Sequence, residues 1–126
     1  MSKSILLVDD SPSIRTLIRW HLEFRPSLEV CGEASVGIEA VEKAQQLLPD
    51  LIVMDFSMPR MNGVEAAREL KRKMPHIPIV LFTAYENALS VSDAKEAGIS
   101  AIVPKCQSHK LLSQIMDILE RRGWAA

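Results

Sequence analysis

Three carboxylates, a hydroxyl and an ammonium stand at matching places in this sequence. Asp9 and Asp10 follow the apolar run Ile5-Leu6-Leu7-Val8, and Asp55 follows Leu51-Ile52-Val53-Met54. Thr83 follows an apolar stretch over 77–82, and Lys105 follows another over 99–103 that Pro104 closes. Three carboxylates brought close together repel one another, and some must hold protons unless a cation sits among them. Oxygen donors of this kind suit Mg²⁺, which keeps several waters and binds best where a phosphate completes its shell. An aspartate can also attack phosphorus and form an acyl phosphate. The oxygens of a transferring phosphoryl group need charge compensation, which a metal, an ammonium and a hydroxyl supply. Taken singly, Asp9-Asp10 marks a strand-to-helix turn and Asp55 a loop. The signal is that all five close apolar runs.

The runs are the strands of a repeating βα unit. All-apolar stretches of four or five residues read as strands buried on both faces. After the first, Ser11 is an N-cap and Pro12 suits the first helical turn. Ile14, Leu17, Ile18 and Leu22 then recur at helical spacing, until Pro26. A short second strand spans 28–31. Ser35 is placed to cap a helix with Ile38, Val41, Ala44 and Leu48 on one face, stopped by Pro49. After the third strand, Asn62-Gly63 leads into a helix with Val64, Ala67 and Leu70 inward. Its last turn, Lys71-Arg72-Lys73, complements the helix dipole. A fourth strand over 77–82 is followed by a helix over 86–97 with a thin apolar face of Leu89, Val91 and Ala94, ended by Gly98. A fifth strand over 99–103 precedes an amphipathic helix through Leu111, Leu112, Ile115, Ile118 and Leu119, with Gly123 as C-cap.

Five strands alternating with five helices predict an α/β fold, a parallel sheet with helices on both faces. Right-handed crossovers make the flavodoxin-like order 2-1-3-4-5 the expected topology. Ligands of such sheets bind beyond the carboxyl ends of the strands, where the order reverses. Strands one and three are neighbours there, so Asp9, Asp10, Asp55, Thr83 and Lys105 share one rim.

Composition narrows the class. The 126 residues make one domain over 1–126, with its core within 3–121, and no linker or low-complexity segment. Fifteen basic against sixteen acidic residues give a net charge of −1, which supplies no footprint for nucleic acid or anionic lipid. No apolar run approaches the roughly 18 residues of a membrane span, and residues 1–3 lead straight into a strand instead of a signal peptide. A cytoplasmic location follows, where Cys31 and Cys106 stay reduced and behave as small half-buried thiols.

At these residues the sequence resembles the receiver domain of bacterial two-component response regulators. The resemblance is carried by Leu6-Leu7-Val8-Asp9-Asp10-Ser11, by Asp50 through Pro59, and by Asn62-Gly63, Thr83-Ala84 and Pro104-Lys105. It covers essentially the whole chain. It implies that Asp55 is the phosphoacceptor and that Asp10 ligates Mg²⁺ directly, with Asp9 assisting through water. It further implies that the backbone carbonyl of Ser57 completes the protein's metal ligands, and that Thr83 and Lys105 bind the phosphoryl group. The donor it implies is a histidine kinase or a histidine phosphotransfer domain. The output it implies is a switched surface of the fourth helix, fifth strand and fifth helix, acting on a downstream protein as a monomer or phosphorylation-dependent dimer. The protein would catalyse only its own phosphorylation and dephosphorylation. Arg15 and Arg19 on the first helix are candidates for docking the kinase side.

Three departures from the family pattern stand out. The residue three before the lysine, usually aromatic, is Ile102, so switching would work through Thr83 without an aromatic flip. Proline precedes Lys105 and Cys106 follows it, so a cis Lys–Pro bond cannot form, an ending similar to receivers that precede helix-turn-helix domains. The positions two past Asp55 and two past Thr83 are Ser57 and Tyr85, and the bulk of Tyr85 predicts slow self-dephosphorylation.

Rival classes fit less well. A phosphatase with an aspartyl intermediate wants a second aspartate two residues after the nucleophile, where Ser57 stands. A nucleotide-binding fold wants a glycine-rich turn after the first strand, where Asp9-Asp10-Ser11-Pro12 would repel pyrophosphate. The chain as the receiver half of a longer transcription factor, or as a phosphorylation-independent receiver-like scaffold, stays open. His21, His76 and His109 show no ligand spacing, and Trp20 and Trp124 are expected to pack against helical faces.

Overall fold

A computed structural model describes residues 2–58, 60–84 and 89–121. Five strands, β1 (Lys3–Val8), β2 (Leu28–Ala34), β3 (Leu51–Met54), β4 (Ile79–Thr83) and β5 (Ile99–Pro104), form one parallel sheet in the order β2-β1-β3-β4-β5. The helices are α1 (Pro12–Leu22), α2 (Gly37–Leu47), α3 (Gly63–Lys73), α4 (Val91–Glu96) and α5 (Leu111–Arg121). The expected flavodoxin-like topology is the one observed.

Period-two alternation in the central strands divides the core into two layers. Leu6, Val8, Ile52, Met54, Ile79 and Leu81 face one way and pack on α2, α3 and α4 through Val41, Ala44, Val64, Ala67, Leu70 and Ala94. Ile5, Leu7, Leu51, Val53, Val80 and Phe82 face the other way, toward Ile18 and Leu22 of α1 and Leu111, Ile115 and Leu119 of α5. Both sets are buried, which is why these strands carry no polar alternation.

The edge strands are irregular. Ile5 pairs with Val30 and Leu6 with Gly32, which leaves Cys31 as an extra residue on β2. Ile79 pairs with Ile99 and Val80 with Ala101, which leaves Ser100 extra on β5. Bulges on both edges interrupt the free hydrogen-bonding rows that would otherwise invite another strand.

Several boundaries differ from the sequence reading. Strand β2 runs on to Ala34. Ser35 does not cap α2: Val36 holds that position without a side-chain bond, and the Ser35 N–H donates to Glu39 Oε1 at 2.8 Å. Leu17, Ile38 and Leu48 are exposed instead of buried, Leu48 because it leaves α2 in the left-handed region at φ 49°. Trp20 is also exposed, stacked edge-on against Phe24 and His21. Helix α4 is shorter than expected and starts from a Ser90 cap, and a 3₁₀ segment, Lys105–Lys110, precedes α5. Gly98, at φ 85°, ends α4 as expected. Both cysteines are free, Cys31 half-buried and Cys106 exposed. The expected roles of Tyr85, Gly123 and Trp124 lie outside the described residues.

Candidate functional site

The chain meets Asp9 as it leaves β1 and Asp55 as it leaves β3, so both carboxylates emerge where the strand order reverses. Ser11 then starts α1: its side chain accepts from the Ile14 N–H at 3.3 Å, with Pro12 in the first turn. The Asp9 N–H donates to the Ala34 carbonyl at 3.0 Å, and Asp9 Oδ1 accepts from the Ser11 N–H at 2.9 Å. On the neighbouring strand, the Asp55 N–H donates to the Val8 carbonyl at 3.0 Å.

Past Asp55 the loop turns through exposed Ser57 and buried Met58 to Arg60, which sits in the left-handed region at φ 69°. It closes on Asn62, which caps α3 in a capping box: Asn62 Oδ1 accepts from the Glu65 N–H at 2.9 Å, and Glu65 Oε1 from the Asn62 N–H at 3.1 Å. Gly63 is required beside it. Any Cβ there would lie 2.4 Å from the Asp55 carbonyl oxygen and 2.9 Å from Phe56 Cα. The Gly63 N–H also donates to the Phe56 carbonyl at 2.7 Å.

Lys105, first residue of the 3₁₀ segment, reaches back across the rim. Its Nζ lies 3.0 Å from Asp9 Oδ2 and donates to Asp55 Oδ2 at 3.3 Å. Asp9, Asp55 and Thr83 are the buried polar side chains among the described residues, whereas Asp10 is exposed. One ligand oxygen from each of Asp9, Asp10 and Asp55 fits within 4.8 Å of the others. All five residues singled out from the sequence thus stand on the same rim, with Thr83 closing β4.

The electrostatics of the cluster are unbalanced. Three carboxylates face one ammonium. Burial pushes the Asp9 carboxyl above its usual range and the charge on Asp55 adds to the rise, outweighing the Ser11 N–H and Lys105. Burial works to lower Lys105, but its ion pair with Asp9 and the charge on Asp55 overcome this and hold the ammonium above its usual value. Asp55 Oδ1 is buried without a hydrogen-bond partner, and Asp9 Oδ2 has its ion pair but no hydrogen bond. Orphan buried carboxylate oxygens, surplus negative charge and an all-oxygen donor set are what a hard divalent cation needs, and the residues fit Mg²⁺.

Arg15 and Arg19 were singled out from the sequence, but their shared acceptor, Glu33, was not. Glu33, near the end of β2, receives Arg15 Nε on Oε1 at 2.8 Å and Arg19 on Oε2 at 2.5 Å. Lys43 donates to its backbone carbonyl. Arg15 and Arg19 are therefore engaged with their own chain. The residue at the usual aromatic position, Ile102, is half-buried against the layer that holds Ala94 and Ala97. No peptide bond among the described residues is cis, and among them no helix is long and apolar enough to cross a membrane.

Residues 5–117 match the model of the response regulator receiver domain. The chain is 45% identical over 107 residues to a protein-glutamate methylesterase/protein-glutamine glutaminase of Alkalilimnicola ehrlichii, covering 83% of this chain and 27% of that protein. It is 37% identical over 110 residues to the response regulator protein VraR of Staphylococcus aureus, covering 87% of this chain and 53% of that one. It thus spans about a quarter to a half of the curated relatives it matches. Among solved structures, it resembles the response regulator domain of Thermotoga maritima CheB, with a TM-score of 0.84 at 30% identity over 93% of this chain and 96% of that one. A LuxR-family two-component response regulator from Aurantimonas gives a TM-score of 0.89 at 33% identity, over 95% of this chain and 86% of that one. With the topology and the acidic rim they accompany, these likenesses identify the chain as a member of the receiver domain family of two-component response regulators.

Proposed function

We propose that this receiver domain accepts a phosphoryl group on Asp55 from the phosphohistidine of a histidine kinase or histidine phosphotransfer domain. Mg²⁺ would be held by Asp9, Asp10, Asp55 and the backbone carbonyl of Ser57. The observation that carries the reading is Asp55 Oδ1: a buried carboxylate oxygen without a hydrogen-bond partner, on a residue whose other oxygen is fixed by Lys105. That oxygen attacks phosphorus, the P–N bond of the donor breaks, and the imidazole leaves with the electron pair and takes up a proton. Lys105 moves its charge from the carboxylate to the new phosphoryl oxygens, and the Thr83 hydroxyl donates to one of them. Bound Mg²⁺ supplies neutralisation of the charge on those oxygens. Attack by water on the acyl phosphate restores Asp55, and the chain catalyses no other reaction.

The added charge draws Thr83 and Lys105 toward Asp55 and biases an equilibrium between two arrangements of α4, β5 and α5. With Ile102 in place of an aromatic ring, that shift runs through the end of β4 itself. The face so altered meets a downstream protein in the cytoplasm. A second reading has one observation in its favour: the curated relatives are two to four times longer than the matched stretch. In that reading the output is a further domain of a longer chain.

Intact mass after incubation with a small acyl-phosphate donor tests the assignment. Wild type is expected to gain one phosphoryl mass with Mg²⁺ and none without it. Asp55→Ala gains none in either condition, and an adduct on that variant would move the site elsewhere.

A further inference from the structure

Besides its ion pair with Lys105, Asp9 is held at three points, and one of them is a side chain that the phosphoryl chemistry above does not use. Its N–H is bound by Ala34 and its Oδ1 by the Ser11 N–H. Its backbone carbonyl accepts from Arg15 at 2.5 Å. The same guanidinium is locked on its other side by Glu33, through Nε at 2.8 Å. Glu33 is fixed in turn by Arg19 on its second oxygen and by Lys43 on its backbone carbonyl. The Arg15 side chain is 17% exposed and that of Arg19 40%. A planar guanidinium that bonds two acceptors in set directions is a stiffer brace than an ammonium on a flexible stem.

We propose that Arg15, clamped by Glu33, is a positioning residue of the metal site: it fixes the Asp9 carbonyl and thereby aims the Asp9 and Asp10 carboxylates at the cation. This rests on the reading of the acidic cluster as an Mg²⁺ site. It extends the working machinery from the ends of β1, β3, β4 and β5 to α1 and to the carboxyl end of β2. Groups that orient ligands in this way commonly matter for metal affinity nearly as much as the ligands.

Simple electrostatics makes the opposite prediction, which gives the test its edge. A cation near a dication site opposes binding, so deleting Arg15 for its charge alone would tighten Mg²⁺. Positioning predicts that binding loosens. Calorimetric titration of Mg²⁺ alone into the full chain reads the difference, with thermal unfolding in metal-free buffer to confirm that each variant is folded. Arg15→Met is expected to weaken Mg²⁺ about tenfold. Arg19→Met, which loses a bond to Glu33 and none to Asp9, should stay close to wild type. Arg15→Lys keeps the charge and loses the fork, so it should fall between wild type and Arg15→Met.

Unchanged or tighter binding by Arg15→Met overturns the proposal. Equal weakening by Arg19→Met also overturns it, because the effect is then not carried through the Asp9 carbonyl. If Arg15→Met does not fold, Arg15→Lys decides: wild-type affinity in that variant rejects positioning, and weaker affinity supports it. Failure of the wild type itself to bind Mg²⁺ removes the metal site and the brace together, an outcome distinct from every variant result.

Discussion

Strand β3 is flanked by two aspartates whose surroundings differ sharply. At its amino end Asp50 is bonded to Ser4. Its Oδ2 accepts from the Ser4 N–H at 2.8 Å and from the Ser4 hydroxyl at 3.2 Å, and its own N–H donates to the Ser4 carbonyl at 2.8 Å. At its carboxyl end Asp55 is buried, with one oxygen orphaned and the other sharing a single ammonium with Asp9. The first aspartate ties β1 to β3, with its Oδ2 and N–H satisfied by the fold alone. The second is left incomplete by the fold, and such deficits persist where something outside the chain completes them.

The largest expected effect is on the incomplete end. Mg²⁺ at about a hundred times its dissociation constant should raise the unfolding free energy by about 2.7 kcal/mol. The gain should disappear in Asp55→Ala, as urea denaturation with and without the ion will read. At the satisfied end, Asp50→Ala strands the Ser4 N–H and should cost about 2 kcal/mol. Phosphoryl uptake should be unaffected. A loss of uptake out of proportion to the unfolded fraction would break the contrast between the two ends.

The third effect has the opposite sign. Asp55→Asn removes one of three mutually repelling carboxylates, and in metal-free buffer at neutral pH it should stabilise the protein by about 1 kcal/mol. A destabilisation of that size would mean that the bond to Lys105 outweighs the repulsion.

The smallest effect concerns the brace beside the site. Arg19 first, then Arg15, hold the Glu33 carboxyl below its ordinary 4.5, against some opposing burial. A carboxylate lowered on folding contributes stability that is complete above 4.5 and lost as pH falls through its folded value. Glu33 is partly solvated, so the contribution should be about 0.3 kcal/mol. Urea midpoints from neutral pH down to the acid limb should fall less steeply in Glu33→Gln than in wild type.

What could be read from the sequence followed the strength of local constraint. The runs 5–8 and 51–54 are apolar at every position because both faces of β1 and β3 are buried, so they announced the sheet and its ends together. Asn62-Gly63 announced α3, because a capping box and a glycine against the Asp55 turn leave few alternatives. That Asp9, Asp10, Asp55, Thr83 and Lys105 share a rim was legible because each closes such a run. Where constraint is weaker, the reading slipped. Past its bulge at Cys31, β2 is an edge strand, and Gly32 and Glu33 carry no apolar alternation to mark it. Ser35 has the composition of a helix cap, but Glu39 reaches back to it and Val36 takes the place. The 3₁₀ segment at 105–110 has no periodicity to find. The Arg15 brace was invisible for a different reason: its acceptor on Asp9 is a backbone carbonyl, which every residue carries.

The close approach of Gly63 to Asp55 has a mechanical consequence. With no room for even a methyl group between them, the start of α3 and the Asp55 peptide move as one welded joint. On the opposite side the Asp55 N–H is bolted to β1 through the Val8 carbonyl. Load applied at the Asp55 carboxylate thus meets a stiff mount on two sides. Thr83 and Lys105 reach the rim from separate segments, at the ends of β4 and β5. On the function proposed above, this joint would give a push at Asp55 its direction before any partner is present, with α3 as the anvil.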